Sequence, residues 1–151
     1  MRERRGLAYM LEEANKLHEG FRNIVYKDTL GKRTVGWGHL CRADETWEDD
    51  VEYPKDVLQH YFDIDFDIAI AGGDKLCGNM GLPERIEEVV IEMCFQLGVN
   101  GVSKFKKMLK ALQVKNYRVA SIEMLDSRWA KQTPERAKEL SETVRRENEK
   151  V

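Results

Sequence analysis

A chain of 151 residues can fill one domain, and its 42% hydrophobic content argues against intrinsic disorder. Charged residues make up 34% yet nearly cancel, to a formal net charge of −2, whereas a protein built chiefly to hold nucleic acid is usually basic overall. Cys41, Cys77 and Cys94 are odd in number and form no C-x-x-C pair, which argues against a disulfide scaffold or a zinc site and for thiols made in a reducing compartment.

Met1–Arg5 is charged but lacks the apolar stretch of a secretory signal, so the expectation is synthesis in a bacterial cytoplasm. No run approaches the roughly 20 apolar residues that span a bilayer. Leu7, Met10, Leu11, Ala14 and Leu17 predict a helix over 6–18. Gly20 is its stop signal, which puts Glu19 at the helix end.

From Asn23 to His39 the period changes to two. Ile24, Tyr26 and Asp28 alternate with Val25, Lys27 and Thr29, and Leu30-Gly31-Lys32 reads as a hairpin turn. Thr34, Gly36 and Gly38 then fall on one strand face, with Val35, Trp37 and His39 on the other. A face of one hydroxyl and two glycines packs a core poorly and would let a ligand approach the backbone.

Residues 44–56 are strongly acidic. Pro54 suits the first turn of a connecting helix over 54–71, carried by Val57, Leu58, Tyr61, Ile64 and Ile68 and ended by Gly72-Gly73. Beyond Pro83, Ile86, Val89, Val90, Met93, Cys94 and Leu97 form an apolar stripe that stops at Gly98, with Cys94 as a core residue. Val102, Phe105, Leu109 and Leu112 mark a second helix, and Tyr117, Ala120, Met124 and Leu125 a third. Lys104, Lys106, Lys107, Lys110, Lys115 and Arg118 read as a solvated face in preference to a site for an anionic polymer. Thr133 and Pro134 supply the N-cap and first position of a last helix.

The most informative stretch, His18 to His39, reads HEGFRNIVYKDTLGKRTVGWGH. It holds a carboxyl at a helix end, Glu19, and another beside a hairpin turn, Asp28. Glycoside hydrolysis uses two such groups, one protonating the leaving oxygen and one attacking or activating water. A helix C-terminus disfavours ionised Glu19 and suits it as the acid, whereas Asp28 lies near free backbone donors that suit a carboxylate. Taken alone, a Glu and an Asp nine positions apart are more often surface residues.

The whole string changes that reading. Glu19-Gly20, Asp28, Thr34 and Gly36-x-Gly38-His39 at these intervals closely resemble the signature of the phage-type lysozymes, the family of the T4 phage enzyme. The resemblance continues in Phe95-Gln96-Leu97-Gly98, in Gly101-Val102, and in Ser127 to Ala137 (SRWAKQTPERA). It runs from about residue 7 to about 145 and is weakest over 41–83.

The resemblance implies an α+β, mostly α, lysozyme-like domain over 1–151. A small β-hairpin lobe over about 19–56 would be joined by the long helix to a helical lobe, about 83–145 together with the helix over 6–18. It implies hydrolysis of the β-1,4 bond between N-acetylmuramic acid and N-acetylglucosamine in peptidoglycan, with inversion. Glu19 matches the family's general acid, Asp28 its second carboxylate, and Thr34 the hydroxyl that helps place water. Arg136 matches an arginine that pairs with the catalytic glutamate; Leu40, Phe95 and Gly38 match substrate-contacting positions, and Gln96 a supporting one. His39 and Asp65 match a structural ion pair, and Trp129 a packed tryptophan.

Met108 and Glu123 depart from two sugar-contacting positions and inherit no role. The acidic tract 44–53 and the low net charge also depart, implying weaker attraction to an anionic wall. The expected partner is a peptidoglycan glycan strand, met by a monomer without cofactor or metal, with no nucleic acid and no integral membrane segment. A holin is one route to the wall.

Two alternatives compete. Residues 85–112, with a glycine between helical stripes and lysines beyond, resemble a helix-turn-helix reader of nucleic acid, which leaves Glu19 and Asp28 unexplained. A catalytically silent wall-binding relative would keep the fold, which does not by itself determine function. His18, His39 and His60 stand twenty-one apart, outside zinc-ligand spacing.

Overall fold

The computed structural model describes residues 20–148. The helix expected over 6–18, and Glu19 with it, lie outside the described residues. Gly20, at φ 72°, has the left-handed conformation expected of a helix-closing glycine. The chain divides into two compact units between Ile68 and Ala69.

In the first unit, strands β1 (Arg22–Lys27), β2 (Arg33–Gly36) and β3 (His39–Leu40) form an antiparallel sheet in sequence order. The expected hairpin is therefore three-stranded. Arg22 pairs with Gly36 and Tyr26 with Thr34, so β1 carries extra residues opposite β2. This bulge breaks the predicted alternation: Ile24, Val25 and Tyr26 are all half-buried.

The chain turns again at Trp37-Gly38, between Gly36 at φ 67° and Gly38 at φ 75°. Thr34, Gly36 and Gly38 therefore do not share one open strand face. A Cβ on Gly36 would lie 3.3 Å from the Leu58 side chain, so this glycine packs against the core. Val35, Trp37 and His39 are buried, as a core-facing set requires.

Helix α1 (Lys55–Cys77) begins one residue after Pro54 and does not stop at Gly72-Gly73. Glycine in a helix costs about 1 kcal/mol relative to alanine. Here tight packing offsets it: a Cβ on Gly72 would lie 3.1 Å from Val99, and one on Gly73 would lie 2.6 Å from Ile91. The helix ends with the buried Cys77 thiol donating to the Gly73 carbonyl at 3.2 Å.

The second unit holds the end of α1 followed by α2 (Glu84–Ser103), α3 (Lys106–Gln113), α4 (Tyr117–Leu125), α5 (Arg128–Gln132) and α6 (Pro134–Glu147). Gly98 interrupts α2 at φ 78° and ψ 158°. Its last turn then gives way to a break at Phe105, so Val102 and Phe105 do not share a helix with Leu109 and Leu112. Short α5 adds to the helices expected from the apolar spacing; Ser127 caps it by accepting from the Ala130 N–H at 3.1 Å. Thr133 stands at the N-cap of α6 without a capping side-chain bond, its hydroxyl donating instead to the Trp129 carbonyl.

Ile86, Met93, Val102, Met108, Leu112, Met124 and Val144 are almost fully buried and form the core of this unit. Cys94 lies among them, and burial pushes its thiol up to about 11, well away from a reactive thiolate. No described helix is long and apolar enough to cross a membrane.

Gly73→Ala tests the packing account. Helix propensity alone predicts a gain, but the clash with Ile91 predicts a loss of about 1–3 kcal/mol in urea unfolding. A more stable variant would refute close packing at this position.

Candidate active site

The turn after β1 ties two sequence-predicted residues together. The Asp28 carboxylate accepts the backbone N–H of Leu30 at 2.9 Å and of Lys32 at 2.8 Å. The Lys32 carbonyl accepts the Asp28 N–H at 2.9 Å and the Thr34 hydroxyl at 3.0 Å. Gly31, at φ 79°, donates to the Asp28 carbonyl and lets the chain close this tightly. Aspartate at a turn start bonds the backbone further on in this way.

The consequence for Thr34 is chemical. Its one hydroxyl proton is committed to Lys32, leaving its oxygen lone pairs as acceptors. It is buried on the central strand, opposite Leu40 of β3, which is 47% exposed.

His39, the first residue of β3, is buried with only 4% exposure. Its Nδ1 is 2.7 Å from Asp65 and its Nε2 is 2.9 Å from Glu45. With a carboxylate at each nitrogen, both must donate, which requires the imidazolium. Burial works to lower the His39 pKa, but the bonds to Asp65 and Glu45 outweigh it and leave it raised. Burial likewise works to raise Glu45, but the Arg42 N–H, His39 and the Trp47 indole hold it below the usual carboxylate range.

The acidic tract thus has a structural use that its composition did not reveal. Glu45 joins β3 to the following loop, and Asp49 accepts from Arg33 of β2 at 2.8 Å. Trp47, Tyr53 and Tyr61 pack around the same histidine and its loop, with ring centroids 4.7–5.7 Å apart. Glu45, six residues from His39, is recognisable only once the loop is seen to fold back.

In the second unit, Gln96 accepts from the Trp129 indole at 2.8 Å and stands 3.5 Å from the Thr133 hydroxyl. These bonds make it a tie between α2 and α5. Phe95 and Arg136 are half-buried on α2 and α6. Sequence reasoning missed a cleft of about 570 Å³ in this unit, floored by Leu97, Phe105, Met108 and Trp129. Its rim mixes Lys104, Lys106 and Lys107 with Glu123. Lysines read as a plain solvated face therefore border a concavity, because the break at Phe105 turns the chain there.

The histidine cluster makes stability depend on pH. The raised His39 contributes fully below its unfolded value of 6.5, and this is lost as pH rises through its folded value. The lowered Glu45 contributes above its unfolded value of 4.5, lost as pH falls through its folded value. Both contributions are present between those limits. His39→Asn is expected to cost about 3 kcal/mol at about pH 5.5 and clearly less at about pH 9, read by urea unfolding. An equal cost at both would contradict a charged His39.

The chain is 27% identical over 150 residues to the probable T4-type lysozyme 2 of Dictyostelium discoideum, covering 84% of this chain and 88% of that protein. It is 25% identical over 157 residues to the probable T4-type lysozyme 1 of the same organism, covering 89% and 92%. It is 28% identical over 120 residues to the peptidoglycan hydrolase gp36 of Pseudomonas phage phiKMV, covering 79% of this chain and 13% of that longer protein. The phage lysozyme family model matches residues 16–149, and the chain therefore belongs to the phage lysozyme family, as a lysozyme-type enzyme.

Proposed function

We propose that the protein is a muramidase that hydrolyses the β-1,4 bond between N-acetylmuramic acid and N-acetylglucosamine in peptidoglycan, with inversion. The observation that carries this reading is the family match over residues 16–149, a span that includes Glu19, Asp28, Thr34 and Arg136. The similar proteins are named as T4-type lysozymes and a peptidoglycan hydrolase, in agreement with that substrate.

In this reading Glu19 protonates the departing glycosidic oxygen, and Asp28 draws a proton from water attacking the opposite face of the sugar. The Lys32 bonds support the second role. They hold the Asp28 carboxylate in one orientation, and the committed Thr34 hydroxyl leaves an oxygen that can accept a hydrogen bond from that water. An inverting pair stands roughly 6.5–9.5 Å apart to admit the water. Exposed Leu40 offers an apolar surface to a sugar ring, and Gly38 and Phe95 are assigned to substrate contact on the family pattern. His39, Asp65 and Gln96 serve to hold the fold.

The helix-turn-helix alternative fares worse. Gly98 and the break at Phe105 cut the lysine-bearing segment into a single turn and an eight-residue helix whose apolar side is buried. A silent wall-binding protein is separated from an enzyme by kinetics alone.

Glu19→Gln and Asp28→Asn are expected to lower the rate of clearing of permeabilised Gram-negative cells by about 10²–10⁴-fold each, with unchanged far-ultraviolet dichroism. Variants as active as the parent would remove both assignments. Newly released reducing ends are expected to be α-anomers, and β-anomers would overturn inversion.

A further inference from the structure

The outward face of α4 is unusual for a helix on a protein surface. Ile122 is 53% exposed at its centre, flanked by Val119 and by Leu125, the latter 49% exposed. Arg118 lies on the same face one turn before Ile122, and Asp126 one turn after, at the C-cap. Among the described residues neither side chain meets an opposite charge.

The charges are also placed against the helix dipole. Anions favour the N-terminal end and cations the C-terminal end, whereas α4 has Arg118 in its first turn and Asp126 at its close. They do nothing for the helix that carries them. Asp126 also borders the cleft of this unit.

The order of residues is symmetric about Ile122. Arg118 and Asp126 stand four positions to either side, and Val119 and Leu125 three. A second copy of the same helix, laid antiparallel about a two-fold axis at Ile122, would set Ile122 on Ile122, Val119 on Leu125, and Arg118 on Asp126 twice over. Such a face meets the requirement of an isologous contact, a surface complementary to itself. A parallel or unrelated occupant would not use this symmetry.

We propose that the α4 face is a self-association surface through which two copies pair antiparallel, centred on Ile122, in place of the monomer expected from sequence. One nine-residue helix from each copy buries less than a standard interface, so the dimer is a weak one that forms at high local concentration.

Sedimentation velocity of the full chain over a concentration series at low salt tests this. The parent is expected to dimerise with a Kd of about 10 μM to 1 mM. Ile122→Glu is expected to remain monomeric throughout. Arg118→Asp, which sets like charges against each other at both ends, is expected to weaken pairing by at least about tenfold. The double variant Arg118→Asp with Asp126→Arg restores opposite charges and is expected to recover parental pairing, which a merely structural role of either residue would not produce. These positions are exposed, and far-ultraviolet dichroism checks that each variant folds. A parent that stays monomeric to about 1 mM overturns the proposal. So does an Ile122→Glu variant that pairs like the parent, or a double variant that pairs no better than Arg118→Asp.

Discussion

The peptide groups of one residue, Lys32, organise the hairpin end of the candidate site. Its N–H holds the Asp28 carboxylate, and its carbonyl takes both the Asp28 N–H and the Thr34 hydroxyl. A carboxylate in the turn and a hydroxyl on β2 are thereby referred to the backbone of a single residue. Backbone does this more rigidly than side chains, because no rotamer has to be fixed at the point of attachment. The rest of the first unit maintains that hairpin: His39 with its two carboxylates, and Arg33 with Asp49, tie strands β2 and β3 to the loop and helix that follow.

This arrangement also accounts for the acidic composition of residues 44–53. Viewed as charge, the tract suggests a poor fit to an anionic polymer. Viewed as contacts, two of its acids neutralise His39 and Arg33, its tryptophan packs on the histidine, and its tyrosine packs on that tryptophan. The low net charge of the chain therefore includes groups engaged in structure.

Much of the fold was legible in the sequence. The apolar stripe from Ile86 to Cys94 and the set Tyr117, Ala120 and Met124 lie on buried helix faces, as their spacing requires. What could not be read depended on partners remote in the chain. The bulge in β1, the passage of α1 through Gly72-Gly73, and the pairing of Glu45 with His39 each follow from a neighbour that local periodicity does not reveal. The glycine-rich strand misled for the same reason. Its glycines permit a second turn at Trp37-Gly38 and close packing at Leu58, two uses that look like an open face when only alternation is considered. Of the candidate site, Asp28 and Thr34 rest on their intervals within a family pattern and the turn between them on its glycine, whereas the bonds through Lys32 that connect them are visible only in the structure.

We propose that this chain cuts the glycan at one bond type. Mass analysis of the soluble fragments released from purified peptidoglycan decides it. The account predicts fragments that all carry N-acetylmuramic acid at the reducing end, with one water added per bond cut. Fragments ending in N-acetylglucosamine, in a dehydrated muramic acid, or in separated peptides with intact glycan would contradict it.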